Sequence, residues 1–213
     1  IVDETYALSR KDQQMFGVIN LDAGYTESAL SIGLRNAYDK SLRVAIAAGA
    51  CLTVCTNLQF SGSGMTVHRK HTTHVWRDLR HMVDKALLSS VQHHERMETQ
   101  LGQMRQIGVD QDAGYEMIGR ALGHGVLRPQ QATIAMGDWK TARHEEFSER
   151  NLFSLYNCFT EGLKKGPAGD TMDRHVKAHR FFEPLLPGEA VTVAQRLTTG
   201  RLINDVIDVP VLN

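Results

Sequence analysis

Residues 33–74 carry polar side chains at regular intervals inside segments of strand character: Arg35, Asn36, Asp39, Arg43, Cys55, Asn57 and His68. Such groups are costly within a sheet unless they are hydrogen-bonded or exposed for use. Overlapping them, residues 67–81 form the most basic stretch of the chain, with Arg69, Lys70, Arg77 and Arg80 against Asp78 alone, plus His68, His71, His74 and His81. Guanidinium and ammonium groups neutralise phosphate, and a helix N-terminus adds the positive end of its dipole. Trp76 and Tyr38 offer faces on which unpaired bases would stack. The chemistry that these residue types fit is binding of a polyanion, with Arg35, Lys40 and Arg43 joining the basic stretch. The competing reading is a solvated helix face with Trp76 in the core.

Other chemistries find less support. Cys51, Cys55, His68, His71 and His74 are the ligand types zinc prefers, but the spacing is not that of a finger. Cys51 and Cys55, four apart on a strand, would stand about 13 Å apart at 3.3 Å per residue, too far to share one ion. Cys55 or Ser41 could be joined to a histidine and Asp39 as a nucleophilic set, yet no nucleophile elbow or other local signature surrounds them. Neither a GxxxxGK[ST] loop nor a GxGxxG after a strand is present. No catalytic residue, metal or cofactor is assigned, and the chain reads as a binding protein more than as an enzyme.

The elements that must position these residues follow from periodicity. Residues 4–8, 15–21, 29–36, 42–47 and 51–60 have strand character, with a turn expected around Gly49, a break at Ser61-Gly62-Ser63-Gly64 and one more short strand at 65–68. From residue 73 to 107 the apolar residues recur every three or four positions, as in one long amphipathic helix, with Gly102 a candidate weak point. Asp112 would cap a shorter helix ending at Gly123 and Gly125, and Pro129 would open another. A further helix is expected over 145–165, and one introduced by Asp170 and Thr171 and stopped near Pro184. On the 145–165 helix, Asn157 and Glu161 share a face and could form a polar network with Asp39 and Asn57 that holds Arg35 or Arg43, or could face water. The predicted class is α+β: an antiparallel β-meander over 1–68, then a helical part over 73–185 in the same domain, with 186–213 a loop or tail.

At 213 residues and 42% hydrophobic, the chain has enough apolar material for a substantial core. Lys plus Arg and Asp plus Glu both number 24, so attraction to nucleic acid must come from a local patch and not from net charge. Three cysteines without framework spacing suit a reducing compartment, so a cytoplasmic location is expected. No apolar run is long enough to span a bilayer, the first residues lack the regions of a signal peptide, and a start at Ile1 is that of a processed or partial chain.

The run LRNAYDKSLRVAIAAG, the following VCTN, and the later RNLFSLYNCFTEGLK resemble the phage and plasmid-like family known as domain of unknown function 932. Arg35, Asp39, Cys55, Asn57, Tyr156, Asn157, Thr160 and Glu161 fall on that family's short motifs, with Ala37 and Cys158 departing from them. The resemblance covers about residues 4–182 and implies a mobile-element setting in a bacterial host cell, with no recorded activity. A meander followed by a long helix also looks like the core of phage single-strand annealing proteins, which is an analogy of fold alone. The expectation is a nucleic-acid-binding protein, favouring single-stranded DNA in recombination or replication and forming a homo-oligomer. Arg35, Lys40, Arg43, Arg69, Lys70, Arg77 and Arg80 would meet phosphate, and Tyr38 and Trp76 would stack. The alternative is a non-enzymatic interaction or structural component of a phage or mobile-element complex.

Overall fold

The computed structural model describes residues 2–10, 14–21, 28–52, 58–60, 66–70, 72, 74–167 and 170–187. The architecture is α+β. Strands β1 (Val2–Arg10), β2 (Gln14–Leu21), β3 (Ser28–Ala37) and β4 (Val44–Leu52) pair in sequence order as an antiparallel meander. Two short strands, β5 (Leu58–Phe60) and β6 (Thr66–Arg69), both pair with β4 along its other edge. Gly49 opposes Phe60 and Ala47 opposes Thr66, so this margin is one edge strand interrupted where the Ser61-Gly62-Ser63-Gly64 break was expected. Those four residues lie outside the described ones.

The expected turn around Gly49 does not form. Gly49 opposes Ser31 on one side and Phe60 on the other, so its backbone belongs to ladders on both sides and β4 runs straight through the small residues. Their smallness serves packing instead: Ala45 and Ala47 lie fully buried with Phe16, Val18 and Met172.

Strand alternation gives the sheet two covered faces. On one, Val44, Ile46, Ile32 and Leu34 pack against Val75, Leu79, Met82 and Ala86 of α1 (Val75–Arg105). On the other, Phe16, Val18, Ala45 and Ala47 pack against Met172 and Val176 of α5 (Thr171–Phe182). Helix α1 runs through Gly102 without a break, for about 46 Å at 1.5 Å per residue. A sheet this small needs only the first half of that length. The second half enters a separate helical core, where Leu101 and Met104 join α2 (Gln111–Gly123), α3 (Pro129–Lys140) and α4 (Leu152–Leu163).

Local chemistry sets the helix ends. The cap of α2 is Asp110, whose Oδ1 accepts from the Ala113 N–H at 2.8 Å, while the expected cap Asp112 lies in the first turn. Pro129 opens α3 as expected. The expected helix over 145–165 is divided: a short 3-10 turn at Glu145–Phe147 precedes α4, which starts only after Asn151. Backbone bonds from Val109 N–H to Arg150 O (2.9 Å) and from Leu152 N–H to Ile107 O (2.8 Å) make a β-bridge that holds Asn151 extended. A helix cannot pass through that conformation, and Asn151 caps α4 by accepting from the Ser154 N–H.

Candidate nucleic-acid interface

The meander's register decides which basic residues meet. Ala37, the last residue of β3, opposes Gln14, the first of β2; Val44, the first of β4, opposes Arg69, the last of β6. Lys40 and Arg43 in the 38–43 connection, and Arg69 and Lys70, therefore share one end of the sheet. Helix α1 begins over the same end: Val75 packs with Val44 and Ile46, and its N–H donates to Thr72 O at 3.0 Å. Lys40, Arg43, Lys70, Arg77 and Arg80 are exposed, and Tyr38 is 72% exposed. The side chains of Arg69 and Trp76 lie outside the described set, so both residues are placed by backbone position alone.

The 38–43 connection is ordered by its own polar groups. Asp39 Oδ1 accepts from Ser41 N–H at 3.0 Å and from Ser41 Oγ at 2.6 Å, and Lys40 N–H donates to Ala37 O at 3.3 Å. Lys40 takes φ +61°, a backbone region that side chains other than glycine's rarely adopt. Asp39 is thus a turn-former at the surface and is not joined to Asn157 or Glu161 as expected. Asn57, the fourth member of that network, lies outside the described residues.

Arg35 leaves the expected set of phosphate contacts. It lies on the face covered by α5, 4% exposed, and its Nη1 donates to Asp173 Oδ2 at 2.5 Å. Its partner comes from α5 and not from α4. Glu161 instead accepts from Arg143 Nη1 at 3.3 Å and from Lys164 Nζ at 2.6 Å, and the buried Asn157 donates back to Phe153 O of its own helix at 2.9 Å. Asp173 went unnoticed in the sequence because it stands 138 positions from Arg35 and no local signal links them.

Two further constellations hold groups of reactive type. Asp138, Arg143, His144, Phe147, Asn157, Cys158 and Glu161 line a cleft of about 20 Å³, room for a single water and not for a substrate. Arg143 spans it, donating to Asp138 Oδ1 at 2.6 Å and to Glu161. Burial raises the Asp138 carboxyl above its ordinary range and pushes the Cys158 thiol up to about 12, so that sulfur stays protonated and is a poor nucleophile. Deeper in, Tyr156 Oη lies 3.4 Å from His179 Nδ1, and His179 Nε2 lies 3.1 Å from Gln100 Oε1. An amide oxygen only accepts, so His179 donates from Nε2, the tautomer that leaves Nδ1 to receive the Tyr156 hydroxyl. With Tyr156 and His179 fully buried, this chain ties α4, α5 and α1 together and is closed to a ligand.

Among the described residues no group of histidine, cysteine, aspartate and glutamate is arranged to hold a metal ion, and no helix is long and apolar enough to cross a membrane. No protein-family model, curated protein or solved structure matches the chain.

Proposed function

We propose that the protein binds nucleic acid, preferring single strands, through the basic end of its sheet. The observation that carries this reading is the convergence of Lys40, Arg43, Arg69 and Lys70 with the first turns of α1, where Arg77 and Arg80 are exposed. Two acidic residues of that end, Asp39 and Asp78, do not cancel six basic ones. Tyr38 supplies an exposed ring beside the charges, the pairing of aromatic and cation that sequence-tolerant strand binding uses. The mobile-element resemblance agrees with such a role in a bacterial cytoplasm, in recombination or replication.

A second reading is supported by a different surface. Val83, Leu87 and Leu88 are exposed along the middle of α1, Leu88 at 85%, on a helix whose Val75, Met82, Ala86, Leu101 and Met104 are buried in two cores. A row of this kind suits contact with another protein or with a second copy of the chain.

One titration separates the two. Labelled single-stranded and duplex DNA and RNA are titrated at two salt concentrations, beside a mass measurement of the assembly. Binding to single strands that falls steeply with salt, and is lost in the Lys40→Glu/Arg43→Glu/Lys70→Glu/Arg77→Glu/Arg80→Glu variant, supports the first reading. No binding at low salt, or affinity unchanged in that variant, overturns it. A self-associated species that Leu88→Glu disperses supports the second.

A further inference from the structure

Helix α1 packs on one face of β3 and β4, and α5 on the opposite face of β2 and β4. A strand bound to this protein is kept off the middle of the sheet by these helices, and the rows of strand ends are the alternative. The two ends differ sharply in charge. The far end, at Val2, Leu21, Ser28, Leu52 and Leu58, brings no lysine or arginine among the described residues, and β1 begins there with Asp3 and Glu4. The near end holds Lys40, Arg43, Arg69 and Lys70. Its register also brings in a residue that the sequence did not single out: Arg10, the last residue of β1, opposes Gln14, which in turn opposes Ala37.

We infer that the bound strand runs along the end of the sheet, at right angles to its strands, from Arg10 at the β1 margin past Lys40 and Arg43 to Lys70 and the start of α1. The inference rests on the nucleic-acid reading and adds the ligand's path, its length and a new contact residue. From β1 to β6 the row contains four strand spacings, about 19 Å at 4.8 Å each. A stacked strand rising 3.4 Å per nucleotide covers that distance in about six nucleotides. Arg77 and Arg80 are exposed on the first turns of α1, which pack over β4, and add charge beside the track, so the affinity should level off a little beyond that length.

The test is a length series of oligothymidylates, from about four to about twelve nucleotides, titrated against the unmodified chain, Arg10→Glu and Arg10→Gln at several salt concentrations. The expected result is a plateau near six to eight nucleotides for the unmodified chain. Both variants should bind the longest oligomer several-fold more weakly, with the slope of log affinity against log salt reduced by about one. Arg10→Gln removes the charge without adding a new one, and an unchanged circular dichroism spectrum separates lost contact from lost fold. If the chain binds and Lys40→Glu/Arg43→Glu weakens it while both Arg10 variants keep the original affinity and salt slope, the path is wrong and the nucleic-acid reading survives. A plateau at twice the expected length with those slopes unchanged overturns the path equally. Absence of binding by the unmodified chain overturns both.

Discussion

Arg35 on β3 and Asp173 on α5 meet at 2.5 Å and fasten the helix to the sheet, with the arginine side chain 5% exposed and the aspartate 53% exposed. The unequal burial makes the two halves of the pair unequal in consequence. Asp173→Ala leaves a buried guanidinium without the Asp173 carboxylate, and should cost about 1–3 kcal/mol. Arg35→Met removes the buried charge and leaves a half-exposed carboxylate that water can solvate, so its cost should be smaller. Urea unfolding of both variants checks the order. Oligonucleotide affinity should be unaltered in Arg35→Met, because a covered arginine cannot reach phosphate.

Gly114 in α2 faces the indole of Trp139 so closely that a Cβ there would run into its Nε1 and Cε2 atoms. That indole is fully buried and donates to Gln111 O at 3.0 Å, so it has no free direction in which to move. Glycine to alanine in a helix ordinarily stabilises by up to about 1 kcal/mol, and Gly119→Ala, with nothing near its Cβ position, should do so. Gly114→Ala should instead destabilise by about 1–3 kcal/mol through overpacking. Thermal unfolding of the two variants gives opposite signs if this packing holds, and Trp139 emission should shift only in Gly114→Ala.

These two sites also mark how far the sequence could be read. Periodicity located α1 to within two residues at each end, since thirty-one residues of repeating apolar positions leave no other solution. It failed at Gly49, where Ala-Ala-Gly-Ala looks like a turn only until β3 and β5 are known to ladder it on both sides. It failed again at Asn151, because the bridge to Gly108 that interrupts the helix depends on a segment more than forty residues away. The basic residues of 69–80 were legible as a run. What gathers Lys40 and Arg43 beside them is strand register, a tertiary fact with no local trace, and the same fact takes Arg35 out of the set.

His94 is fully buried on α1, its Nε2 3.9 Å from Glu98 Oε1. Burial holds its pKa below the ordinary 6.5, outweighing the opposite pull of Glu98 and Glu95. Below about 6.5 the unfolded chain takes up a proton that the folded chain resists, so the unfolded state gains as the pH falls. The contribution is intact at neutral pH and is lost downward from 6.5 toward the folded value. Urea midpoints measured from pH 7.5 to 5 should decline, and His94→Gln should flatten that decline. An identical slope in the variant would assign the acid sensitivity to other groups.

Lys40 sets the stability of the fold against the charge of the interface. At φ +61° a lysine pays a steric cost that glycine avoids, roughly 1 kcal/mol, and the Asp39–Ser41 hydrogen bonds hold the connection in that shape. Lys40→Gly should therefore raise stability by about 0.5–1 kcal/mol while removing one positive charge from the sheet end. Oligonucleotide affinity should fall and the salt slope should drop by about one. Lys40→Asn separates the two effects, because asparagine tolerates this backbone region and carries no charge: it should recover part of the stability and none of the affinity. A Lys40→Gly protein that is more stable and binds as before would mean that the strain at this turn serves something other than holding an ammonium group toward phosphate.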